Sequence, residues 1–281
     1  MEASLSDIDS LYSAVENVDY IFHIAGVVAA KNYNEFLKGN RDATKNLLEA
    51  TIKSAPNIKR FLHVSSQTAA GPASSFANPI TEDDECRPIT AYGRSKKEGE
   101  DVVNRYQKEL PITIIRPPAV YGPRDPAILQ IFQLANKGLG TLIGFNQKYV
   151  NLIHSDDLVR GIIDSAFSEN TINETYFVAS EEIYNWHTIM DSIKSALNKK
   201  MFIKIRIPHL LVYSLAGLSE FFGQFSAKPP IFNFDKGRDF VQNYWTCSVE
   251  KAKNDFGFKQ LISLDEGLKS TINWYKQNNW I

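Results

Sequence analysis

Residues 60–67 read Arg60-Phe61-Leu62-His63-Val64-Ser65-Ser66-Gln67, a run of strand-forming residues that ends on two hydroxyls. Downstream lie a helical stretch over residues 90–109 and a second apolar run, Ile112-Thr113-Ile114-Ile115-Arg116. Upstream, Asp19-Tyr20-Ile21-Phe22-His23-Ile24 closes on Ala25-Gly26. Residues 33–54 then set Phe36, Leu37, Ala43, Leu47, Leu48 and Ala50 on one helical face. Thr175-Tyr176-Phe177-Val178-Ala179 supplies a fourth run. Apolar strands joined by long helices predict a parallel sheet with both faces covered, a doubly wound α/β fold.

Beyond Arg116 the pattern loosens at Pro117-Pro118, Gly122-Pro123, Gly138, Gly140 and Gly144. A region over residues 200–257 is richer in aromatics and proline, and a last helix is expected over residues 264–277. The expected layout is a sheet domain over residues 1–180 and a smaller C-terminal lobe over residues 181–281, with parts of residues 120–155 joining the lobe. The cluster Phe221, Phe222, Phe225, Phe232 and Phe234 is expected to pack the lobe or a dimer contact, or to line a substrate pocket.

The 281 residues are 43% hydrophobic and 22% charged, at net charge −1. That balance suits a globular protein and gives no electrostatic reason to expect nucleic acid or an anionic membrane as partner. Cys86 and Cys247 sit in no metal-ligand spacing and read as free thiols of a reducing cytoplasm. The apolar stretch over residues 210–225 is broken by Ser214, Gly217 and Glu220, so a core or interface helix is expected rather than a membrane span. No metal site is expected.

Chemistry concentrates in Tyr92-Gly93-Arg94-Ser95-Lys96. Residues four apart share a helix face, so the Lys96 ammonium can stabilise the Tyr92 phenolate. By itself that spacing is as well explained by a solvated helix face. Context sharpens it: Ser66 follows a strand, at the carboxyl edge where open α/β sheets bind ligands. Asp157 is expected to brace a loop or helix start, and His154 to be structural.

Together these motifs resemble the extended short-chain dehydrogenases/reductases, the NAD-dependent epimerase/dehydratase family. His23-Ile24-Ala25-Gly26 resembles the strand and turn beside the cofactor, and residues 39–48 the next helix, with Asn40 at the family asparagine. Residues 65–71 resemble the catalytic serine turn, residues 116–123 the segment beside the nicotinamide, and residues 151–158 the V-H-V-x-D turn. The resemblance implies a Rossmann-like fold, NAD or NADP as cofactor and catalytic roles for Ser66, Tyr92 and Lys96. It implies cofactor contacts from Ile24, Ala25, Gly26, Val27, Tyr92, Lys96, Pro118 and Val120. It further implies a homodimer and a small-molecule substrate, either a nucleotide sugar or a hydrophobic alcohol or ketone. Nucleotide-sugar enzymes of the family commonly carry asparagine where this chain has Ala119, which weakens the first class without deciding between them.

The Gly-rich phosphate turn that opens such a fold does not occur in these 281 residues. Ser4-Leu5-Ser6-Asp7-Ile8-Asp9-Ser10-Leu11 resembles a segment that follows the family's third strand. The chain is therefore expected to start late by roughly 60 residues, at ~30 per βαβ unit. It is then expected to lack the first strands, to expose residues 19–24 as an edge and to bind dinucleotide poorly alone. A non-catalytic scaffold or regulator of the same fold is the rival expectation.

Overall fold

Four parallel strands, Tyr20–His23, Arg60–Val64, Ile112–Arg116 and Glu174–Phe177, stand side by side in sequence order. The computed structural model describes residues 2–223 and 233–281. The two middle strands are buried at every position, as strands covered on both faces must be. Alternation along them divides the core. Phe61, Ile112 and Ile114 meet Leu11, Leu47, Leu48, Val102 and Val103 on one face. Leu62, Val64 and Ile115 meet Leu158, Ile162, Ala166 and Phe258 on the other. Among the described residues Tyr20–His23 is paired on one side only, and Phe22 is 37% exposed there.

A third core lies outside the sheet. The helices Leu129–Asn136, Trp186–Ala196 and Leu264–Gln277 enclose Phe132, Met190, Leu268 and Tyr275. Strands Leu139–Ile143 and Ile203–Ile207 pair in parallel beside it, so Gly138 and Gly140 belong to a turn and strand.

Several expected boundaries move for local reasons. The single helix expected over residues 33–54 is Tyr33–Leu37 and Ala43–Ser54, joined by a π-helical turn, Lys38–Asp42, that holds Asn40 buried. The Tyr92 helix spans Ala91–Arg105: Thr90 caps it, and Tyr106 to Leu110 turn the chain into Pro111. The last strand of the sheet stops at Phe177 rather than Ala179. The closing helix, Leu264–Gln277, starts on a capping box between Ser263 and Glu266, satisfying otherwise orphaned N–H groups.

The helix His209–Gly223, expected as a core or interface helix, is only partly core. It buries Val212 and Ala216, while Leu210, Leu211, Leu215 and Leu218 are exposed. Of the aromatic cluster beside it, Phe225 and Phe232 lie outside the described residues, and Phe234 stacks on Tyr213 at 6.2 Å. Among the described residues no helix is long and apolar enough to cross a membrane. No group of three or more His, Cys, Asp or Glu side chains among them could hold a metal ion.

Candidate active site

The ladder that builds the sheet also builds the Ser66 turn. Past Val64, the Ser65 N–H donates to the Ile115 carbonyl at 2.7 Å and the Gln67 N–H to Pro117 at 2.8 Å. Ser66 leaves the strand extended and caps the short helix Gln67–Ala70; its Oγ accepts from the Thr68 N–H at 3.2 Å and from Thr68 Oγ1 at 2.9 Å. The hydroxyl is thereby fixed at the carboxyl edge of the sheet, where a doubly wound fold opens to ligands.

The Tyr92 helix meets this turn through Gly93. A Cβ at Gly93 would lie 2.4 Å from the Thr68 carbonyl oxygen, so only glycine lets the two segments approach this closely. Ser66 lies close enough to act on the Tyr92 phenol, and its influence favours the ionised form. Burial outweighs that influence, and with the nearby charge of Asp239 it pushes the phenol up to about 12. Lys96 is 4% exposed, and its ammonium donates to the Val64 carbonyl at 2.7 Å. Burial lowers that ammonium to about 8, against the pull of Glu100 one turn on. The sequence argument had Lys96 drawing the phenol down; here the ammonium turns to the backbone and burial decides the phenol.

Asn40 joins the helix to the loop after the edge strand. Its Oδ1 accepts from the Val27 N–H at 2.7 Å, and its Nδ2 donates to the Val27 carbonyl at 2.9 Å and to Ser95 Oγ at 2.8 Å. The loop holding Ile24, Ala25, Gly26 and Val27 is thus pinned against the Tyr92 helix. A Cβ at Gly26 would stand 3.0 Å from Asn40 Oδ1 and 3.6 Å from Lys96 Nζ. Ile24 and Val28 are 60% and 67% exposed, leaving an apolar shelf beside a buried cation. That combination fits the nicotinamide–ribose end of a dinucleotide: a flat apolar wall, a glycine where backbone approaches closely and an ammonium for hydroxyls.

The expected contacts Pro118 and Val120 follow directly on Arg116. Pro118 is buried and Val120 half-buried, next to the Pro117 carbonyl that holds the Ser66 turn. Arg116 forms a buried bidentate pair with Glu100, at 2.9 and 2.7 Å, which ties the Tyr92 helix to the sheet. Burial opposes the arginine's charge, and the Glu100 bonds more than restore it. His154 and Asp157 bond within the structure. His154 caps Ser155–Phe167 and meets Ser270 at 3.1 Å, while Asp157 accepts from the Leu261 and Ile262 N–H groups.

Sequence reasoning missed one element at the site, the helix Phe234–Val241. Asp235 Oδ2 accepts from the Ala91 N–H at 2.6 Å, and Asp239 acts on the Tyr92 phenol. Asn233 followed by two carboxylates four residues apart was the available signal: a cap and one acidic helix face.

A hydroxyl, a phenol and an ammonium held beside a glycine loop at the carboxyl edge of a parallel sheet define a dinucleotide-type α/β site. The chain belongs to the NAD dependent epimerase/dehydratase family, which residues 1–189 match. It is 25% identical over 268 residues to ceramide reductase of Caulobacter vibrioides, covering 95% of this chain and 77% of that protein. It is 27% identical to sterol-4-alpha-carboxylate 3-dehydrogenase, decarboxylating, of Mus musculus, covering 93% of this chain and 75% of that protein. Its fold matches UDP-glucuronic acid 4-epimerase from Bacillus cereus in complex with NAD, with TM-score 0.76 and 21% identity, over 97% of this chain and 79% of that one.

Proposed function

We propose that the protein is an NAD(P)-dependent oxidoreductase acting at a secondary alcohol or ketone on an apolar molecule, with Tyr92 transferring the proton. The convergence of Ser66, Tyr92 and Lys96 on one edge of the sheet carries this reading. A nicotinamide dinucleotide bound along Ile24–Val27 and beside Pro118 and Val120 would supply the hydride chemistry. Ser66 holds the substrate oxygen. Tyr92, protonated at neutral pH because burial pushes it up to about 12, is poised as the acid toward a ketone. Val64 takes one of the three N–H donors of Lys96, whose other donors suit ribose hydroxyls. Ala119, the exposed leucines of His209–Gly223 and the likeness to enzymes named for ceramide and sterol substrates support an apolar substrate. A nucleotide-sugar substrate is the second reading, supported by the likeness to UDP-glucuronic acid 4-epimerase.

Tyr92→Phe tests the assignment in the native protein. Turnover of long-chain ketones with NADH or NADPH is expected to fall ~10²–10⁴-fold, the usual weight of a positioned acid–base group, with cofactor affinity retained. Near-wild-type turnover in that variant would remove Tyr92 from the chemistry and favour the scaffold reading of the fold.

A further inference from the structure

The helix Phe234–Val241 is fastened at both ends by groups other than the Asp239 carboxylate. Asn233 caps its start, Asp235 accepts from the Ala91 N–H, and the indole N–H of Trp245 donates to the Asp239 main-chain carbonyl at 2.9 Å. Lys148 donates to the carbonyls of Val241 and Gln242, each at 2.7 Å. The Asp239 side chain takes no part in this: among the described residues its buried Oδ1 has no hydrogen-bond partner. Asp235 and Asp239 share a helix face, and Asp235 meets the first turn of the Tyr92 helix, which sets Asp239 toward Tyr92. Asp235 and Lys236 are the charges that act on it from its own helix, Arg238 pairs with Asp235 at 3.6 Å, and Tyr92 faces it from across. A buried carboxylate oxygen without a donor is a standing cost, and a residue kept only to hold the helix would not bear it.

We propose that Asp239 is a specificity-determining residue of this site, accepting a hydrogen bond from a donor that the substrate carries beside its reacting carbon. The donor is a hydroxyl, or an amide or ammonium N–H, and substrates with an anionic group at that place are rejected. The inference rests on the assignment of Tyr92 above, and it narrows the substrate to alcohols and ketones flanked by such a donor.

Two measurements on Asp239→Asn decide it. The first compares kcat/KM for a long-chain 3-ketone with those for its 2-hydroxy and 2-acetamido derivatives in wild type and variant. A preference for the donor-bearing ketones is expected in wild type, and the variant is expected to lose about tenfold or more of it, since a site built to bind a substrate hydroxyl discriminates strongly. An unchanged preference, or equal loss on all three ketones, overturns the proposal. Tyr92→Phe run alongside separates the two claims, because survival of turnover there counts against the proton-transfer role and leaves the Asp239 ratio readable.

The second is a thermal melt without substrate. Burial, with Asp235 adding and Lys236 opposing, pushes the Asp239 carboxyl up to about 7. The folded form then holds a proton that the unfolded chain has already lost, so this group costs stability as pH rises from ~4 toward 7. Asp239→Asn is expected to melt higher than wild type at pH 8, with the difference closing near pH 4. A lower melting temperature at pH 8 would assign the carboxylate to holding the fold and overturn the proposal.

Discussion

Gly93 carries more of the site than its size suggests. It separates Tyr92 from the Ser66 turn by nothing but backbone, with the Thr68 carbonyl 2.4 Å from where a Cβ would stand. The clashing carbonyl is main chain, so it cannot swing aside. Gly93→Ala is expected to cost about 1–3 kcal/mol, the range for forcing atoms into a packed interior, and to abolish turnover by parting Ser66 from Tyr92. Denaturant unfolding and a steady-state assay check this; wild-type turnover in the variant would show that the Ser66–Tyr92 approach is not required. The Tyr-x-x-x-Lys spacing was legible from sequence because helix geometry fixes it. The direction of the Lys96 ammonium was not, since a flexible side chain chooses among acceptors that only the assembled sheet edge presents.

Among elements, the Tyr92 helix is the one on which the others converge. The Glu100–Arg116 pair joins it to the sheet, the Asn40 turn joins it to the Val27 loop, and Asp235 reaches its first turn. Arg116 is 5% and Glu100 1% exposed, so removing one partner strands a buried charge. Glu100→Ala is expected to cost about 3–5 kcal/mol, and the double variant Glu100→Leu with Arg116→Met much less, because an apolar pair of similar volume tolerates the same burial. Equilibrium unfolding of the single and double variants measures both; a single variant within experimental error of wild type would contradict the lock. Periodicity revealed the helices on either side of Asn40 but not the π-helical turn between them. A one-residue widening of the helix leaves the apolar pattern nearly intact while turning Asn40 inward, and it is a tertiary demand that selects it.

At the scale of the molecule, the face of the sheet beneath the Tyr92 helix buries two histidines side by side. The His23 and His63 rings lie tilted to one another at 5.3 Å between centroids; His23 has Thr44 as partner at 2.9 Å, and His63 has none among the described residues. Burial, with Lys96 adding, lowers His23 to about 4 and keeps His63 well below the ordinary value. Both are therefore neutral when folded, whereas the unfolded chain protonates them below ~6.5. Stability is lost as pH falls from ~6.5 to 4, by about 3 kcal/mol for His23 given its lowered value of about 4. Histidine-selective NMR is expected to show the His23 ring unmoved between pH 7 and 5; a ring titrating near 6.5 would refute its burial as a neutral group.

The sequence by itself determined the sheet strands, most of the helical stretches between them, the place of Ser66 after a strand and that of Tyr92 and Lys96 on one helix. Those follow from short-range rules: alternation along a strand, the 3.6-residue turn of a helix, a hydroxyl at a strand's end. Tertiary structure alone decided what each group feels. Ala91 and Asp235 are 144 residues apart, so no local rule could place Phe234–Val241 over the Tyr92 helix. The value of the Tyr92 phenol is likewise set by burial and by a carboxylate from a distant element, because desolvation and Coulomb interaction depend on what surrounds a group in space, not on its neighbours along the chain.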